Sequence, residues 1–373
     1  MAVSYRGFQI ELYEEYLSDG AFVSDQRRQL LANPLGKWGL LRDWEDRTEA
    51  YIDGLSVGAD LALEVCTRRA IDGEPGEFEI AVRTFCRASR FDLIERIVNE
   101  AGEGPKVTAL AEGLLHERHT SLPVVIERLV NASPKLLPSL AKVIGYQRLP
   151  LASLLIDAKE SSPSVAWALG RLRDGSSGTL LRSLLRDGGA PEAALALART
   201  SNTLDSVEQW PLFLRGLMGE AGRLGELHSD PSPDSSLALG LLGFAESVPY
   251  LMARLPQPES ALALQLITGA GLTVEQPVAD EELEPDERAT LETQLNTDSA
   301  HWLEWWNAHG DRLPRTPLRS GQPYSETALL RHLENPEGMH VERYWAAEQL
   351  ACRHGRSLAF EPDMLVVEQR SAL

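Results

Sequence analysis

Apolar side chains recur at helical spacing along almost the whole chain, and turn signals interrupt them at short intervals. Trp44, Thr48, Tyr51, Ile52 and Leu55 form one stripe, and Phe78, Ala81, Val82 and Phe85 form another. Val107, Leu110, Ala111, Leu114 and Leu115 continue the pattern. Leu122, Val125, Ile126, Leu129 and Val130 follow, then Leu136, Leu137, Leu140, Ala141 and Ile144. Each set follows i, i+3, i+4, i+7, which places it on one helix face. Stretches such as "DGEPGE" (72–77), "SPK" (133–135), "DGSSG" (174–178) and "DPSPD" (230–234) read as turns between the helices. Short helices of about 10–14 residues joined by tight turns must pack as antiparallel neighbours, in pairs. The expected class is all-α, an α-solenoid or a helical bundle. Strand-like alternation is nearly absent, and "MLVVEQ" near Met364 is the only plausible strand.

Internal repetition favours the solenoid. "WALGRLRDGSSGTLLRSLL" (167–185) is similar to "LALGLLGFAESVPYLMARL" (237–255), with Ala168-Leu169-Gly170 aligning on Ala238-Leu239-Gly240. Each block runs into an Ala/Leu-rich helix, "PEAALALA" (191–198) or "ESALALQLI" (259–267). The offset is 240 − 170 = 70 residues, about two short helical repeats. Small residues let paired helices approach closely, and the leucines fill the seam. Three regions are expected: an N-terminal capping region (1–42), a helical repeat array (43–275), and an acidic connector with a C-terminal helical cap (276–373). Glu281, Glu282, Glu284, Asp286 and Glu287 crowd the connector, with Pro285 placed for a helix start.

The A-L-G step, short turn and leucine-rich second helix at 163–199 and 234–268 resemble bacterial HEAT-like repeats. More widely, "RRQLLANPLGKWGLLRDWEDRTEAYIDGLSVGADLALEVC" (27–66) and "WLEWWNAHG…LRSGQPYSETALLRHL" (302–333) resemble an uncharacterised bacterial HEAT-repeat family often encoded near type VI secretion systems. That resemblance implies a fold and a cellular context. It supplies no activity and no catalytic residue.

"GLSVG" (54–58) fits G-x-S-x-G, the nucleophile elbow of hydrolases. That motif needs a strand before the serine and a helix after it. The preceding "DWEDRTEAYID" carries a helical stripe instead, with Asp43 and Arg47 paired i, i+4. Gly54 is expected to end that helix and Ser56 to cap the next, which explains the residues without catalysis. His116 and His119 in "HERH" stand at i, i+3 rather than the i, i+4 of zinc proteases, and read as solvated histidines at a helix C-terminus. Cys352 and His354, two apart, do not face each other on a helix. Cys66 and Cys86 sit on apolar faces and read as small buried hydrophobes. Glycines at 216, 219, 222 and 225 match no phosphate-binding pattern and are expected to allow close helix contact. No catalytic, cofactor or metal residue is assigned, and a non-enzymatic protein is expected.

The candidate partner-binding residues lie near the C-terminal end. Trp302 and Trp306 share a helix face with Trp305 beside them, a composition that serves either core packing or an interface hot spot. Gln322 and Tyr324 belong to "RSGQPY" (319–324), a defined turn that could also take part in recognition. With 36 Lys+Arg against 55 Asp+Glu, the formal net charge is −19. That charge repels nucleic acid and anionic membrane and favours a basic protein partner. The start lacks the apolar core of a signal peptide, no apolar run approaches a membrane span, and three scattered cysteines fit a reducing cytoplasm. These features together describe a cytoplasmic protein-binding scaffold, adaptor or chaperone linked to secretion, with a secreted effector or toxin as the kind of partner expected. An immunity protein that neutralises a toxin is the first alternative. A HEAT-like enzyme acting on nucleic acid is the second, and the net charge argues against it.

Overall fold

A computed structural model describes residues 4–101, 104–158, 162–188, 191–201, 210–277 and 291–373. The acidic run Glu281–Glu287 and Pro285 lie outside the described residues. The chain is mostly helical, with neighbouring helices packed on one another. Residues 1–200 together with 359–372 form one compact unit, and residues 201–358 form a second.

The first unit opens with α1 (Tyr5–Ala32), α2 (Leu41–Val57), α3 (Ala59–Asp72) and α4 (Pro75–Arg87). It continues with α5 (Phe91–Ala101), α6 (Pro105–Leu115), α7 (Leu122–Ala132) and α8 (Leu137–Gln147). Then come α9 (Ala152–Asp157), α10 (Pro163–Leu172), α11 (Gly178–Gly188) and α12 (Pro191–Ser201). Proline stands at the first turn of several of these, where its missing N–H costs nothing. Ser162 caps α10 by accepting the Val165 amide.

The even-numbered helices from α4 to α12 make one continuous layer. Arg83 reaches Glu117, Lys142 reaches Glu112, and the Gln147 amide donates to the carbonyls of Leu114 and Leu115. Gly145 lies against Ala168, and Gly170 against Ala196. The pairings step along each helix in the same sense, so these helices run in one direction. Small residues set the spacing. A Cβ on Gly113 would stand 2.8 Å from the Glu79 carbonyl oxygen, and one on Gly170 would stand 2.7 Å from Ala196 Cα. Both distances are too short for real atoms. The stripes read from sequence are buried: Phe78, Val82, Phe85, Leu110, Leu114, Val125, Ile126, Leu140 and Ile144 are all nearly inaccessible. Burying each large apolar side chain contributes roughly 1.5–3 kcal/mol.

The second unit holds α13 (Leu212–Met218), α14 (Leu224–Ser229), α15 (Pro233–Leu242), α16 (Val248–Met252) and α17 (Pro258–Thr268). The same small-residue contact recurs, with Gly216 against Ala238 and Gly240 against Ala263. Gly170 and Gly240, aligned by sequence at an offset of 70, therefore do the same physical work. Beyond α17, strand β1 (Thr273–Pro277) pairs antiparallel with β2 (Leu291–Leu295) in the register Thr273↔Leu295 to Pro277↔Leu291. Helix α18 (Ser299–His309), the two-residue strands β3 (Leu318–Arg319) and β4 (Gln322–Pro323), α19 (Glu326–Glu334) and α20 (His340–Cys352) complete this unit. The last helix, α21 (Val366–Ala372), belongs to the first unit.

Two sequence expectations fail here. "MLVVEQ" is not a strand: its second half is α21, whose first amide, Val366 N–H, donates to Glu45 Oε2 at 2.7 Å. A carboxylate from another helix caps α21 where the local sequence shows no cap. The longer strands that do form, β1 and β2, have polar, weakly alternating sequences, and their pairing is long-range.

Candidate partner groove and a buried ion ladder

Trp302 is fully buried in the apolar core of the second unit, with Leu239, Leu251, Leu264 and Leu318. Its indole N–H donates to the carbonyl of Asn296 at 2.6 Å. Asn296 follows β2 and is itself tied by its N–H to the Leu272 carbonyl. The ribbon thus fixes the start of α18, and Trp302 presents no surface to a partner. Trp305 is half-buried and stacks on His309 with ring centroids 4.9 Å apart.

Trp306 lines an open groove of about 480 Å³ with Phe244, Pro249 and Leu313. The Trp306 ring packs on Gly310, where a Cβ would come within 2.8 Å of it. Glu246, Asp311 and Arg315 add charge to the groove. An apolar wall beside carboxylates suits an apolar side chain flanked by a cation. A second recess, of about 490 Å³, lies on the first unit beside Phe78, Lys106 and Leu136. Its Lys106 ammonium already donates to the carbonyls of Ala70 and Ile71.

The turn at 319–324 is a tight hairpin. Ser320 and Gly321 both have positive φ, and their amides donate to the Leu266 and Ile267 carbonyls at the end of α17. Gln322 is exposed. Tyr324 is half-buried, its hydroxyl is 2.9 Å from His354 Nε2, and Arg353 lies over its ring at 4.3 Å. The hairpin is a structural turn, and Gln322 and Pro323 are its exposed residues.

The enzyme-like motifs resolve into local structure. Helix α2 runs through Gly54 and ends at Val57, so Gly54 does not end it and Ser56 does not cap α3. Gly54 is needed because Tyr16 packs against it. The Ser56 hydroxyl donates to the Ile52 carbonyl at 2.8 Å, and helix rather than strand precedes it. The glycines at 216–225 span two helices. Only Gly216 makes a close helix contact, Gly219 ends α13 with φ +81°, and Gly222 and Gly225 face open space. Burial pushes the Cys66 and Cys86 thiols up to about 12, in keeping with their reading as small hydrophobes. Among the described residues, no cluster of His, Cys, Asp and Glu is arranged to hold a metal ion. No helix among them is long and apolar enough to cross a membrane.

His116 is not solvated. It is buried at the end of α6, with Nδ1 3.2 Å from the Tyr146 hydroxyl and 3.9 Å from Glu368. Burial drives its pKa down to about 4, and the cations Arg27 and Arg83 push the same way. It belongs to an ion ladder that sequence reasoning missed. Because the layer helices run in one direction, their C-terminal ends line one edge, where partial negative charge favours cations. Arg83 and Arg87 stand at the end of α4, Arg148 at α8, Arg171 at α10 and Arg199 at α12.

Residues 359–372 lie along this edge. Glu361 accepts from Arg148 Nη2 at 2.6 Å and from Arg171 Nε and Nη2, both at 3.0 Å. Glu368 accepts from Arg118 at 2.9 Å. Arg27 pairs with Glu45 at 2.8 Å and donates to the carbonyls of Asp363 and Met364. Burial alone would raise the Glu361 carboxyl, but Arg171, Arg148 and Arg199 outweigh it and hold it at about 2.

Comparison with family models, with curated proteins and with solved structures found no match to this chain.

Proposed function

We propose that this chain is a non-enzymatic protein-binding scaffold built on HEAT-like repeats, an α-solenoid that holds a basic segment of a protein partner. The single observation that carries this reading is the open groove in which Trp306, Phe244 and Pro249 stand beside Glu246 and Asp311. A tryptophan in an apolar groove supplies a binding anchor, and carboxylates beside it select a cation. The one-directional helix layer and the repeated Gly-on-Ala contact support the solenoid part. The resemblance described above supports a bacterial cytoplasmic role as an adaptor or chaperone linked to type VI secretion.

Affinity purification from the native cell tests this. The unmodified chain and a Glu246→Lys/Asp311→Lys chain are compared by quantitative mass spectrometry. A basic protein enriched by the first and lost from the second supports the reading. Identical recovery by both chains defeats it.

A further inference from the structure

We propose that the arginine-lined edge of the first unit is a binding surface for an acidic peptide segment that runs irregularly and then turns into a short helix, occupied in this structure by residues 359–372 of the chain itself. The surface carries the opposite charge to the groove on the second unit, so the inference does not depend on that groove.

Three observations carry it. First, the recognition is of peptide type. Residues 355–361 have no regular secondary structure. Around Asp363, Arg27 takes two main-chain carbonyls and Glu45 takes the Val366 amide, while Gln369 folds the segment on itself by donating to the Pro362 and Met364 carbonyls. Main-chain groups give such a site its grip, and alternate side chains give it selectivity. Second, the charges are complementary and spaced. Glu361 sits between Arg148 and Arg171, and Glu368 on Arg118. Phe360, Met364 and Val366 are the apolar anchors between and beside the carboxylates, each at most 2% exposed. Third, the segment follows an irregular stretch with Gly355 at φ +67°.

The edge beneath does not depend on the segment for its charge, because Arg148 and Arg171 stand at the C-terminal ends of α8 and α10 and Arg118 follows α6. A partner that presents an apolar residue followed by carboxylates at this spacing competes for the same edge. The tethered segment holds an advantage through its effective concentration. A partner's apparent affinity is therefore reduced by the fraction of molecules whose edge is open.

The test uses the full chain and a fluorescent synthetic peptide of residues 357–373. A Glu361→Gln chain, with its own segment weakened, is expected to bind the peptide at least about ten-fold more tightly than the unmodified chain. Binding should weaken as salt rises, and a peptide carrying Glu361→Gln and Glu368→Gln should fail. Absence of binding to either chain overturns the proposal. A single-stranded DNA oligonucleotide that competes as well as the peptide overturns the assignment to acidic peptide. Hydrogen exchange on the unmodified chain decides the matter even if the variant does not fold. Amides of 363–372 should exchange through a local opening at least about 100-fold faster than the α8 and α10 core. Equal protection of the segment and those helices would make it a permanent part of the core and overturn the proposal.

Discussion

Arg171 holds Glu361 through two parallel hydrogen bonds of 3.0 Å, across 190 positions of sequence, with both side chains buried. A two-point pair of this kind fixes direction as well as distance. Removing Glu361 strips Arg171 and Arg148 of the carboxylate they share, whereas removing Arg171 leaves Glu361 with Arg148. Glu361→Ala is therefore expected to destabilise the chain by about 3–5 kcal/mol, and Arg171→Ala by clearly less. Urea denaturation of the two variants checks the order. An Arg171→Ala chain less stable than the Glu361→Ala chain contradicts the shared pairing.

Stability should fall in acid in two windows. His116 is held neutral, with its pKa depressed from 6.5 to about 4 by burial. Between those values the unfolded chain binds the proton and the folded chain does not, so stability declines as pH falls from 6.5 to 4. The loss from this group is on the order of 3 kcal/mol. Glu361, held at about 2 against an ordinary 4.5, adds a second loss as pH falls from 4.5 toward 2. In His116→Gln, the stability measured by denaturant titration should become flatter across the first window and keep the second.

Close helix contact makes some glycines irreplaceable. Gly170→Ala drives a methyl to 2.7 Å from Ala196 Cα and is expected to cost about 1–3 kcal/mol. Gly222→Ala meets nothing within 4 Å and has an ordinary φ, so it should be neutral or stabilising by about 0.4–1 kcal/mol. Thermal denaturation separates the two.

Ser56→Ala should change stability by no more than about 0.5 kcal/mol, since the exposed hydroxyl gives up one bond to Ile52 while alanine favours the helix. It should leave unchanged any ester turnover a preparation shows. Turnover abolished by this substitution alone would contradict the helical reading of "GLSVG".

The helices were legible because burial repeats every third and fourth residue, and the 70-residue repeat because Gly170 and Gly240 meet the same kind of neighbour. What escaped was non-local. Glu45 caps a helix 321 positions away, so the extended-looking "VV" at 366–367 misled. Asn296, which receives Trp302, follows a strand whose partner β1 is distant in sequence. His116 looked solvated because Tyr146 and Glu368, which enclose it, are distant in sequence. Each arginine of the ladder, taken singly, resembles an ordinary helix-end cation. The available signal was their recurrence at the ends of four of the five layer helices, at 83, 148, 171 and 199, together with carboxylates at 361 and 368.

Association kinetics with the partner recovered from the native cell tests the scaffold reading most directly. Measured across a salt series, the on-rate should fall as salt rises. Glu246→Lys with Asp311→Lys should lower it further, and Trp306→Ala should speed release by about ten-fold or more. An on-rate indifferent to salt, with both substitutions leaving association and release unchanged, would contradict the account.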